Sequence, residues 1–84
     1  MPTISVFYGI TIFMHLTKKE HNPPHIHAKY EGKTASFLIA NGEPYKGRLP
    51  QRAMGLVKEF VLLYQKELQA MWDTSQYVKL KGLE

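Results

Sequence analysis

The chain contains no cysteine. Disulfides, thiolate metal ligands and thiol redox chemistry are therefore excluded, and a reducing compartment suits it. Long apolar runs are missing as well: Lys, Glu, Gln or Gly interrupts every one well short of a membrane span. The start, Met1-Pro2-Thr3-Ile4-Ser5-Val6, has no basic segment ahead of an apolar stretch and does not read as a secretory signal. These absences lead us to expect a soluble, cytoplasmic protein that does not associate with membranes. Internal repeats, low-complexity runs and linkers are also lacking, so the 84 residues are expected to form a single domain, 1–84. A domain of this size buries only about 60–65% of the surface its unfolded chain exposes. Pairing with a second copy or with another small protein would add stability, and a homodimer is one expectation.

Charge of neither sign dominates. Eleven Lys and Arg stand against seven Asp and Glu, a formal charge of +4. Such an excess is compatible with contact to nucleic acid or to an acidic partner. It equally suits a surface that serves only solubility.

The first half, residues 1–48, reads as β-strand. Residues 4–8 are rich in β-branched and aromatic side chains and are broken by Gly9. A second strand over 10–16 places Ile10, Ile12, Met14 and Leu16 on one face and Thr11, Phe13, His15 and Thr17 on the other. Asn22-Pro23-Pro24 cannot donate a run of sheet hydrogen bonds, so 18–24 is a loop. Strands follow over 25–30 and 33–40, joined by the tight-turn signal Glu31-Gly32. The strongest hairpin signal, Asn41-Gly42, leads to a short fifth strand over 45–48.

The second half reads as one long helix over 50–76, with Pro50 suited to its first turn. Ala53, Leu56, Val57, Phe60, Leu63, Tyr64, Leu68, Met71 and Trp72 recur at three- and four-residue spacing and make an apolar stripe. Gly55 costs roughly 1 kcal/mol against Ala inside a helix, a cost that close packing on a sheet would explain. The tail 77–84 alternates and suits either an edge strand or a frayed end. The expected fold is thus α+β: a mostly antiparallel sheet of four or five strands, with one long C-terminal helix on one face. Ile26, Ala28, Tyr30, Ala35, Phe37 and Ile39 would supply the sheet's half of the core. Trp72, the one tryptophan, either caps that core or marks a partner surface.

All four histidines, His15, His21, His25 and His27, fall within a short stretch. Strand alternation puts His25 and His27 on one face, about 7 Å apart between Cα atoms, with Lys29 beside them. Three readings compete. The first takes them as surface imidazoles with turn and packing roles. The second is a metal site, in which His25 and His27 are joined by His15 or His21 around zinc or another divalent ion. The third is acid–base chemistry on a phosphodiester, where one imidazole takes a proton and another gives one. The third reading needs cations for phosphate, and Lys29, Lys46, Arg48 and Arg52 are candidates, the last three near the start of the helix.

The order of features adds information. Met-Pro-Thr-Ile-Ser, Phe7-Tyr8-Gly9-Ile10, and then His21-Asn22-Pro23-Pro24-His25-Ile26-His27-Ala28-Lys29-Tyr30 resemble the small prokaryotic family called domain of unknown function 4160. Asn41-Gly42-Glu43, Gly47-Arg48-Leu49-Pro50, Glu67-Leu68 and Trp72 fit as well, so the resemblance covers nearly the whole chain. One departure is that a tryptophan expected in the middle of the family's helix is Phe60 here. The resemblance implies a stand-alone prokaryotic protein linked to toxin–antitoxin-like gene pairs, with a small antitoxin-like partner.

The leading functional expectation is accordingly a toxin-role component acting on RNA as a metal-independent endoribonuclease. His25 and His27, assisted by His21, would be the acid–base groups. Asn22, Lys29, Lys46, Arg48 and Arg52 would hold the substrate, and no cofactor is expected. The alternatives are a non-catalytic protein- or nucleic-acid-binding module, and a metal-binding protein built on the four histidines. A helix-turn-helix is not expected, since only one helix is predicted.

Overall fold

A computed structural model describes residues 3–14 and 23–84. The chain forms strands β1 (Thr3–Phe7), β2 (Ile10–Phe13), β3 (His25–Tyr30), β4 (Lys33–Leu38) and β5 (Pro44–Lys46), then helices α1 (Gln51–Leu63) and α2 (Gln65–Thr74). The five strands make one sheet in the order β1-β2-β3-β4-β5, antiparallel at every step. The class is α+β, as expected. Among the described residues no helix is long and apolar enough to cross a membrane.

Two tight turns set the register. Tyr8-Gly9 and Glu31-Gly32 both have positive φ at both positions, the backbone of a two-residue hairpin turn whose twist matches the flanking strands. The Asn41-Gly42 hairpin is wider than its sequence suggests. Only Gly42 has positive φ there, and the loop is closed by Gly42 N–H to Leu38 O and Leu38 N–H to Glu43 O. A Cβ on Gly42 would stand 2.9 Å from Lys58 Cγ, so the glycine lets this loop lie against α1. Glu43 also pairs with Lys58 at 2.7 Å across the same junction.

Strand alternation then divides the sheet into two faces. Ile10, Ile12, Ile26, Ala28, Ala35 and Phe37 are buried toward the helices. Ala53, Val57, Phe60, Val61, Leu68 and Met71 meet them from the helical side. Phe60 is fully buried and stacks on Phe7 with ring centroids 5.1 Å apart, so it is a core residue.

One long helix over 50–76 is not what forms. The helix stops at Leu63 and restarts at Gln65, because Tyr64 leaves helical geometry (φ −116°, ψ 27°). Its N–H is shared between the carbonyls of Phe60 and Val61. Gln65 then anchors the new helix by donating from Nε2 to the carbonyls of Ile39 and Ala40 at 3.0 and 2.7 Å. Two further expectations fail on the helices. Leu63, assigned to the apolar stripe, is 61% exposed, while Val61 is buried in its place. Gly55 faces open space rather than the sheet.

The tail is neither a ladder strand nor frayed. It runs alongside β1: Leu80 N–H donates to Ile4 O at 2.8 Å, Gly82 lies against Phe7, and Tyr8 N–H reaches the Glu84 carboxylate. The numbers rise together, so the tail is parallel to β1. Tyr64 Oη donates to Lys81 O at 2.9 Å, which ties the helix break to the same strap. The tail therefore covers one edge of the sheet, which would otherwise present unpaired backbone groups.

Candidate functional site

The side of the sheet turned away from Ile26 and Ala28 carries His25, His27 and Lys29. The registers Phe13↔His27, His27↔Ser36 and Ser36↔Lys46 join into one row across β2, β3, β4 and β5. Neighbouring strands lie about 4.8 Å apart, so an aromatic ring, an imidazole, a hydroxyl and an ammonium stand in sequence across the face. The next row holds Thr11, Lys29 and Thr34. Lys29 is exposed, as its alternation with Ala28 requires.

His25 begins β3 at one end of this face. Its ring meets His27 edge-on, with centroids 5.1 Å apart. Trp72 of α2 and Tyr45 of β5 press on it at 5.1 and 5.5 Å. This leaves His25 only 5% exposed. Its Nδ1 lies 2.8 Å from the carbonyl oxygen of Pro23. A carbonyl only accepts, so Nδ1 carries the hydrogen. The rigid Pro23-Pro24 pair thus selects the tautomer.

His27 is more accessible. It stacks on Phe13 (5.3 Å, planes 15° apart), and its Nδ1 lies 3.4 Å from Ser36 Oγ. Trp72 both packs against the core and touches the histidine pair. It therefore links α2 to the site, a role that its apolar spacing alone did not reveal.

The other residues named from the sequence fall in different places. His15, His21 and Asn22 lie outside the described residues. Lys46 belongs to the His27 row, and its Nζ sits 5.4 Å from the centre of the Tyr45 ring. Arg48 is exposed in the connection to α1. Arg52 does not join them. It lines a cavity with Tyr30, Ile10 and Leu56, on the helical side of the sheet. The expected cluster of Lys46, Arg48 and Arg52 around the helix start is thus divided, because the sheet lies between Lys46 and Arg52. Among the described residues no group of three or more His, Asp or Glu side chains is placed to hold a metal ion.

The model of a protein family, the domain of unknown function DUF4160, matches residues 9–73. The chain belongs to that family. The match runs from the first hairpin through the histidines and the row across the sheet to the end of α2, so DUF4160 comprises the elements that build this site. No curated protein and no solved structure matches the chain.

Proposed function

We propose that this DUF4160 protein binds single-stranded RNA at the face of its sheet that carries His25 and His27 and cleaves it with that pair. The observation that carries this reading is the row Phe13–His27–Ser36–Lys46, with the second imidazole 5.1 Å from the first. Sheet faces that mix aromatic rings with cations suit single strands, whose bases stack and whose phosphates need positive charge.

The chemistry is a transphosphorylation. His27, the more exposed ring, takes the proton of a 2′-hydroxyl as that oxygen attacks the adjacent phosphorus. The 5′-oxygen leaves and receives a proton from His25. The products are a 2′,3′-cyclic phosphate and a 5′-hydroxyl. Lys29 and Lys46 hold the phosphate charge, and Ser36 orients His27. Neither metal nor cofactor enters the scheme. In the cell this activity fits the toxin role in a two-protein module with a small antitoxin-like partner, as the family resemblance suggests.

The test is expression of the protein alone and as the double variant His25→Ala, His27→Ala. Growth arrest with RNA breakdown for the native chain, and neither for the variant, is the expected result. Identical growth and RNA integrity in both removes the catalytic reading.

The deep burial of His25 favours a second reading, a module that binds without turnover. Such a module shows salt-dependent affinity for RNA or for a partner protein, leaves the strand intact, and tolerates loss of either imidazole.

A further inference from the structure

The sheet's opposite face holds a second feature that the histidine chemistry does not use. A cavity of about 240 Å³ opens between the Tyr8-Gly9 turn, the end of β3 and the first turn of α1. Its floor is apolar, made by Ile10, Ala53 and Leu56, and its polar lining is Tyr8, Tyr30 and Arg52. Among the described residues neither tyrosine hydroxyl and no guanidinium nitrogen of Arg52 makes a hydrogen bond or ion pair. No acidic side chain stands in the first turn of α1 to neutralise Arg52.

A small concave site with an apolar base and a few converging polar groups is the usual form of a ligand pocket. Two flat phenol rings and aliphatic carbons suit a planar ring, while a guanidinium without a carboxylate suits an anion, which it can grip through two parallel hydrogen bonds. We infer that this cavity binds a planar aromatic ring carrying a negative group, the chemistry shared by a nucleotide and an aromatic carboxylate. The charged group is held at Arg52. This site lies across the sheet from His27 and does not depend on the RNA-cleaving reading.

The experiment is a titration of the isotope-labelled full chain followed by the backbone amide signals of Ile10, Tyr30 and Ala53. Uridine 5′-monophosphate, adenosine 5′-monophosphate and benzoate are the probes, with uridine and inorganic phosphate as controls for ring without charge and charge without ring. Saturable shifts of those three signals are expected with a nucleotide or with benzoate. Arg52→Gln should weaken binding roughly tenfold or more, and Tyr30→Phe should weaken it with the fold intact. Binding by the nucleotides alone identifies the source as a nucleotide, and binding by benzoate alone identifies a carboxylate. His27→Ala should bind as the native chain does, which separates this site from the histidine face. Absence of saturable shifts overturns the inference. So does binding that Arg52→Gln leaves unchanged, or equal binding of uridine or of inorganic phosphate.

Discussion

The rings of His25 and His27 meet edge to face with their centroids 5.1 Å apart, yet the two side chains live in different surroundings. His25 is wedged among Trp72, Tyr45 and the Pro23 carbonyl, whereas the less buried His27 leans on Phe13 in the row that ends at Lys46. One strand and its alternation place them together, and the packing of α2 and β5 separates their environments.

Removing each imidazole should therefore have different consequences. His25→Ala empties a buried position and should cost about 1–3 kcal/mol of stability. His27→Ala should change stability by less than about 1 kcal/mol while abolishing RNA cleavage. Urea denaturation of the two variants, run beside a cleavage assay, checks both halves.

Cleavage by the pair should follow a bell-shaped pH profile, because His27 must be neutral and His25 protonated at the same time. Activity rises with pH as the base loses its proton and falls as the acid does. Any activity left in His25→Ala should lack the fall at high pH, since the acid has been removed. A profile of rate against pH for the native chain and this variant is the check.

Phosphate contacts leave a signature in salt. The double change Lys29→Gln, Lys46→Gln should reduce the slope of log affinity against log salt for single-stranded RNA by roughly 1.4, about 0.7 for each lost contact. Arg52→Gln, on the other side of the sheet, should leave that slope unchanged. Fluorescence titrations of a labelled oligonucleotide at several salt concentrations measure it.

Two glycines should respond in opposite directions. A Cβ on Gly82 would lie 2.7 Å from Phe7 Cβ and 3.1 Å from Val6 O, against parts of β1 that cannot swing away. Gly82→Ala should thus loosen the tail and cost about 1–3 kcal/mol. Gly55, exposed within α1 and facing open space, should gain up to about 1 kcal/mol on replacement by Ala. Midpoints of chemical denaturation compare the two.

Ser5 offers a stability test of its own. A register shift beside it in β1 leaves its hydroxyl buried, and its Oγ has no hydrogen-bond partner. Ser5→Ala removes that unsatisfied group and should be neutral or stabilising by about 1 kcal/mol. A clear loss of stability would mean that the hydroxyl has a partner.

Much of the architecture was legible because its causes are local. The alternation of Ile26, Ala28 and Tyr30 with His25, His27 and Lys29 set both the limits of β3 and its two faces. Ile10 and Ile12 marked the buried side of β2 in the same way. What escaped depends on contacts distant in sequence. The apolar spacing continues through Tyr64 as though no break existed, since Val61, Tyr64 and Leu68 keep a helical period. The break shows only in the backbone at Tyr64 and in Gln65 reaching the β4–β5 loop. Alternation in the tail did not say which strand it would join, and the bonds of Leu80 and Tyr8 supply that answer. At the site, the His25–His27 neighbourhood was readable from spacing of two. The burial of His25 was not, because Trp72 and Tyr45 come from α2 and β5. Basic residues close in sequence suggested one cluster, but the sheet sets Lys46 and Arg52 on opposite sides.

The most direct measurement is the chemistry of the RNA ends left by the purified protein in the presence of a chelator. The account predicts 2′,3′-cyclic phosphate and 5′-hydroxyl ends from a single-stranded substrate, and none from a His27→Ala protein with a native denaturation curve. RNA left intact by the native chain, or cut equally well by the His27→Ala chain, would contradict it.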